Sequence, residues 1–300
     1  MAIDPSKALG AKLAPAEASW TQDQVILYAL GAGVGIGQDQ TSKEVLQYTY
    51  ENGLKVLPTY GVIPVFGTLM QLMAVPGMQI NPMMILHGEQ YLEILKAPLP
   101  TSATVINEAQ VTAIYDKGFD KEKNKGKGAV IDVSVTSKDK ATGEPLFRNV
   151  FSTFVRGEGG FAREGDPVAP PPGNEAPSRA PDKVIEYKTV THQALLYRLS
   201  GDKNPLHADP MFAKMGGFAT PILHGLCTFA NVGRAVIEGF ANNDPTKFKS
   251  IKVRFTSPVY PGETIVVSMW QESPTEIIVK AGVKERSIDV ISNAKVTLFA

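Results

Sequence analysis

Apolar positions recur along this chain in two rhythms. From Trp20, with Thr21 at the capping position, Val25, Ile26, Tyr28 and Ala29 share one face at helical spacing and predict a first helix. Residues 91–97, 103–116, 128–138 and 147–157 are rich in β-branched and aromatic side chains that partly alternate with polar ones, which predicts strands. The charged stretches Asp120–Lys127 and Ser137–Gly143 read as solvated hairpin turns between them. The second half predicts a strand at 183–190, a helix at 192–199 and a short helix at 209–216. A longer helix runs from His224-Gly225 to about Gly239, then strands lie near 249–256, 264–272, 275–285 and 288–299. Two breaks stand out. Residues 163–182 are proline-rich and predict a stiff, extended linker. Residues 1–19, small and alanine-rich, predict a poorly tied arm. Gly31–Gly37 has Gly-x-Gly-x-Gly spacing and comes after a helix. A dinucleotide loop needs Gly-x-Gly-x-x-Gly after a strand, so a flexible connection is expected instead.

The two halves also resemble each other. Gln24–Leu30 lies over Gln193–Leu199, Ile85-Leu-His-Gly88 over Ile222-Leu-His-Gly225, and Ala97-Pro98 with Thr104 over Ser257-Pro258 with Thr264. Matches in one order predict a duplicated domain, residues 1–162 and 183–300, joined by the linker. Each copy is expected to wrap a sheet of about five antiparallel strands around one long helix.

Composition narrows the function. The 300 residues, 43% of them hydrophobic, suffice for one large core or two moderate ones. Thirty basic and thirty acidic side chains cancel, so no global field recruits nucleic acid or an anionic membrane. The single cysteine, Cys227, excludes an internal disulfide and fits a reducing compartment. No apolar run is long enough to span a bilayer, and no signal-peptide pattern opens the chain.

The chemistry concentrates in Tyr197–Gly225. Asp202, Asn204 and His207 fall within six residues, and Gly201 and Pro205 make the segment a loop. Asp202 alone would read as a cap. A carboxylate and an imidazole on one tight loop can instead converge on a single water, as acid–base catalysis requires. Gly225 opens the long helix, where unpaired N–H groups and a positive dipole end suit a developing oxyanion. His224 is expected to shape that helix start and His192 to be a surface or structural residue. The four histidines have no sequence spacing suggestive of a metal site. In the first copy Gly31, Ala32 and Gly33 replace Ser200, Gly201 and Asp202, so the catalytic loop is expected in one half only. The longer first-copy insertion carries Met70, Met73, Met78, Met83 and Met84 among prolines and glycines, an adaptable apolar surface expected to take an acyl chain.

The run Tyr197-Arg-Leu-Ser-Gly-Asp-Lys-Asn-Pro-Leu-His207, with His224-Gly225 and Arg254-Phe-Thr-Ser-Pro-Val-Tyr-Pro-Gly-Glu-Thr264 downstream, resembles the signature of the type-2, R-specific, MaoC-like enoyl-CoA hydratases. The likeness extends over essentially the whole chain and is strongest to the hydratase region of fungal multifunctional enzymes. It implies a double hot-dog fold of the α+β class. It also implies reversible, syn hydration of a trans-2-enoyl-CoA to the (3R)-3-hydroxyacyl-CoA in fatty acid β-oxidation. Asp202 and His207 would hold the water, in unassigned roles of acid and base. Asn204 would orient the water or the imidazole, and the Gly225 N–H would bind the thioester oxygen. His87, Gly88, Lys117, Pro205, Leu206 and Phe255 would contact the acyl-CoA, with neither cofactor nor metal. The resemblance further implies a homodimer, fusion to dehydrogenase domains in a parent protein, and a peroxisomal location. The closing Val-Thr-Leu-Phe-Ala is not a Ser-Lys-Leu-type address, so that location rests on the likeness alone. A thioesterase on the same fold and a non-enzymatic acyl-CoA carrier are the competing readings.

Overall fold

The computed structural model describes residues 3–162 and 173–300; the first ten residues after Ala162 in the expected linker lie outside the described residues. Along the chain come α1 (Pro5–Ala8), β1 (Ala16–Trp20), α2 (Gln22–Gly31), α3 (Lys43–Thr49), a 3₁₀ turn (Pro58–Val62) and α4 (Phe66–Leu69). Then come β2 (Ile85–Ile94), β3 (Ala103–Asp116), a small hairpin of β4 (Phe119–Asp120) and β5 (Lys125–Gly126), β6 (Ala129–Asp139) and β7 (Pro145–Val155). The second half runs β8 (Lys183–Lys188), α5 (Gln193–Tyr197), α6 (Pro210–Met215), α7 (Gly225–Phe240), β9 (Phe248–Phe255), β10 (Thr264–Ser273), β11 (Glu276–Val283) and β12 (Ile288–Leu298).

Ten strands form one sheet in the order β1-β3-β6-β7-β2-β9-β12-β11-β10-β8. The order reads the same from either edge, so the halves are related about the β2·β9 seam, where Glu89–Glu93 pairs antiparallel with Arg254–Ser250. This is the double hot-dog arrangement expected from the duplication. Alternation sets the faces: in β6 every second residue from Ala129 to Val135 is fully buried. In α7 twelve of sixteen residues are buried, most of them apolar, so this helix is enclosed nearly all round and packs against the sheet. Apolar side chains of both halves belong to one continuous core.

Four expectations change. The first half has no long central helix among the described residues. Proline and glycine break its segment into the 3₁₀ turn at Pro58–Val62, α4, and 3₁₀ turns at Met70–Ala74 and Pro82–Met84. His87-Gly88 is not the equivalent of His224-Gly225: it lies in β2, whose counterpart by sheet position is β9. The N-terminal arm is tied down, with β1 paired to β3 and Ile3 and Leu13 buried. Gly31–Gly37 is packed rather than flexible. Ala32 and Val34 are buried, and Gly33, Gly35 and Gly37 take positive φ in successive tight turns.

Candidate active site

The catalytic loop is built by local rules. Gly201 has φ of +150°, a conformation that residues with a Cβ rarely adopt, and it turns the chain out of the α5 end. The Asp202 carboxylate accepts from the Asn204 N–H at 3.0 Å, and Asn204 Oδ1 accepts from the Leu206 N–H at 3.0 Å. Asn204 thus caps the 3₁₀ turn Pro205–His207 that presents His207. Pro205 and Leu206 share that turn, with Leu206 half-buried against Gly216.

His207 is buried and its Nδ1 lies 2.8 Å from the Ile222 carbonyl. A carbonyl can only accept, so Nδ1 carries the proton and Nε2 presents a lone pair. That Nε2 is 3.9 Å from Asp202 Oδ2. Burial holds the His207 pKa below the ordinary imidazole value, against the opposing pull of the Ile222 bond and the Asp202 charge. Two acceptors therefore face each other at a distance that one water can bridge.

The loop is fixed to α7 through His224. Its ring stacks on His207 with centroids 3.6 Å apart, and its Nε2 donates to the Asp202 main-chain carbonyl at 3.0 Å. Burial, with the neighbouring His207, pushes its pKa down to about 3, so it stays neutral. The preceding residue is pinned as well, because the Leu223 N–H donates to the Val259 carbonyl at 2.8 Å. Val259 belongs to the 254–264 turn, closed by Glu263, which accepts from the Tyr260 N–H at 2.7 Å and pairs with Arg286. Gly225 opens α7 directly after His224. A Cβ on Gly225 would sit 3.1 Å from the Phe255 ring, so any larger residue here would press on that ring.

Of the residues expected to contact an acyl-CoA, Phe255 touches this site and His87 lies one ring beyond. His87 packs edge-on to Phe255 at 5.0 Å and stacks on Phe151 at 5.3 Å. Its Nε2 is buried without a partner among the described residues, and burial lowers its pKa to about 4. Gly88 sits at a β-bulge beside it. Lys117 has no ion pair or ring contact with the catalytic group among the described residues; its N–H donates to the Gly128 carbonyl at the end of β3. His192 is exposed at the N-terminal cap of α5.

Sequence spacing concealed two features. One candidate ligand atom each from Asp202, His207 and His224 all lie within 4.8 Å of one another, a metal-like grouping. The hydrogen bonds fix both tautomers: His207 Nδ1 and His224 Nε2 each donate to a main-chain carbonyl, which leaves His207 Nε2 and His224 Nδ1 with lone pairs. The stacking role of His224 was also hidden; the only sequence signal for it was its place before Gly225.

Family models match both halves: the MFE-2 hydratase 2 N-terminal domain over residues 19–157 and the MaoC like domain over 173–294. The chain is 40% identical to a probable enoyl-CoA hydratase 2 of Dictyostelium discoideum, covering 98% of this chain and 96% of that protein. It is 42% identical to the peroxisomal hydratase-dehydrogenase-epimerase of Neurospora crassa, over 94% of this chain but only 30% of that longer protein. The crystal structure of a MaoC-like dehydratase from Phytophthora capsici superposes with a TM-score of 0.84 at 37% identity, over 99% of both chains. The chain belongs to the MaoC-like enoyl-CoA hydratase 2 family.

Proposed function

We propose that this protein is a hydro-lyase that adds water reversibly to a trans-2-enoyl-CoA, giving the (3R)-3-hydroxyacyl-CoA of fatty acid β-oxidation. The observation that carries this reading is the pair of acceptors, His207 Nε2 and Asp202 Oδ2, facing each other at 3.9 Å. A water donating one hydrogen to each would turn a lone pair toward the substrate. As its oxygen bonds to C3, one of its protons passes to an acceptor, and that same proton is then delivered to C2 from the same face. The sum is H and OH across the double bond, with the pair returned to its starting state. The thioester oxygen, gaining enolate character, would accept from the Gly225 N–H, a donor typically worth roughly 3–4 kcal/mol in the transition state. All of these groups come from residues 183–300. Residues 1–162 would serve as the acyl-binding repeat, with His87 and Gly88 along the acyl path and Lys117 toward the CoA, while Phe255 of the second repeat would flank that path and Pro205 and Leu206 its mouth. The 163–182 segment would link the two repeats. Peroxisomal location, dimerisation with a second copy, a requirement for no cofactor, and fusion to dehydrogenase domains in a parent protein complete the reading, and the names of relatives support location and fusion.

The test is the ultraviolet absorbance of trans-2-decenoyl-CoA on adding purified protein, with product passed to R- and S-specific hydroxyacyl-CoA dehydrogenases. Expected is loss of the enoyl band with product taken only by the R-specific enzyme. Asp202→Ala and His207→Ala should each lower kcat by about 10²–10⁴-fold. Release of free thiol would identify a thioesterase, and binding with no loss of the band would identify a carrier; either result overturns the proposal.

A further inference from the structure

A second charged group lies in the interior, well away from the catalytic loop. Arg234 is nine residues beyond Gly225 on α7, about 14 Å along the helix by its rise per residue. It is only 5% exposed. Its guanidinium lies flat on Tyr187, 3.9 Å from the ring centroid. Of its five donors, one makes a hydrogen bond among the described residues: Nη1 to the Ala32 carbonyl, at a long 3.5 Å. Nε is buried with no partner. No carboxylate among the described residues lies within the 4.0 Å of an ion pair. A buried arginine left in this state is costly unless something else meets it.

The guanidinium lines a cleft of about 170 Å³ between the glycine turns after α2, strand β8 and α7. The other charged groups around that cleft are already engaged. Glu186 holds Lys284 at 2.7 Å, Lys188 holds Glu285 at 2.9 Å, and Glu238 accepts from the Tyr187 hydroxyl at 2.9 Å. Arg234 and Glu238, which accepts only from a neutral hydroxyl, are therefore the two charges at the cleft with no ion pair among the described residues, and Arg234 is the cationic one. The backbone turn that brings Gly33 beside it has φ of +88°, a conformation that favours glycine, and a Cβ there would stand 3.8 Å from Arg234 Nη1, in ordinary contact.

We infer that this cleft is a binding site for a small oxyanion, a phosphate or carboxylate group that takes the free edge of the Arg234 guanidinium. A planar guanidinium suits such a group because two parallel N–H donors match two oxygens. The cleft is larger than a single water needs, so it accommodates an oxyanion with its own hydration.

The experiment tracks thermal unfolding and phosphorus NMR line width of the full chain on titration with inorganic phosphate, with chloride at equal ionic strength as reference. Acetate competition tells a general oxyanion site from one selective for phosphate. Expected is saturable stabilisation by phosphate over chloride. Arg234→Gln should weaken it roughly ten- to a hundredfold, the range for losing one charged hydrogen-bond partner. A second variant avoids the buried position: Gln38→Glu adds a negative charge at the rim, while its carboxylate can still accept from the Gly35 N–H as Gln38 does at 2.9 Å. It should also weaken binding. If phosphate and chloride act alike, or if Gln38→Glu binds phosphate as the parent does, the cleft holds water only and Arg234 merely caps α2.

Discussion

At the scale of single residues, His224 separates chemistry from positioning. It carries no proton in the reaction proposed, yet it joins the Asp202 carbonyl to the start of α7 and stacks on His207. His224→Phe keeps an aromatic ring and loses the donor, so kcat should fall about tenfold with little change in KM. His224→Asn loses the stack and admits water beside His207. The acid limb of its pH–rate profile should then move up toward 6.5, the ordinary imidazole value. A purely structural His224 would change thermal stability and leave that limb in place. Gly225→Ala should reduce kcat more than binding, because its Cβ would press on Phe255 at 3.1 Å and crowd the N–H that meets the oxyanion. Equal effects on kcat/KM and on inhibitor binding would argue against that role.

At the scale of elements, one tetrapeptide has two fates. Ile-Leu-His-Gly is a strand at 85–88 and a helix entry at 222–225. The residues C-terminal to it decide: Glu89–Ile94 alternates and joins the sheet, whereas Leu226–Ile237 is mostly apolar and is buried on every face as a helix. Pattern over ten residues outweighs identity over four. The Met-rich stretch likewise replaced a helix with short 3₁₀ turns, with Met70 exposed and Met78 buried. If it shapes an acyl path, shortening residues 70–84 should depress turnover of long-chain enoyl-CoA far more than of crotonyl-CoA. An equal loss on both would show that the segment only supports the core.

At the scale of the molecule, buried neutral histidines set the acid stability. His87 and His224 have pKa values lowered to about 4 and about 3 from 6.5, and His207 is lowered too. The folded state resists protonation while the unfolded chain accepts it. Their contribution is therefore fully present above pH 6.5 and is lost as pH falls through the folded values. Thermal unfolding measured between pH 7 and 4 should show Tm falling below pH about 6.5, and His87→Gln should flatten that fall. A Tm that holds steady to pH 4.5 and drops only as carboxylates titrate would exclude this origin.

Much of this protein was legible in one dimension. Periodicity located the strands and α7, the repeat announced two similar halves, and one tight loop grouped Asp202, Asn204 and His207, because these are short-range consequences of backbone geometry and side-chain shape. The ten-stranded continuity across β2·β9, the loss of the central helix in the first half and the tied N-terminal arm depend on contacts between distant segments. So do the details of the site. The Ile222 carbonyl that sets the His207 tautomer is fifteen residues away in sequence, and Phe255 reaches Gly225 at the start of α7 from the end of β9. Sequence determined which chemical groups the chain owns and which local elements carry them. Tertiary structure alone decided which lone pair faces which, because burial and hydrogen-bond direction exist only once distant segments share a core.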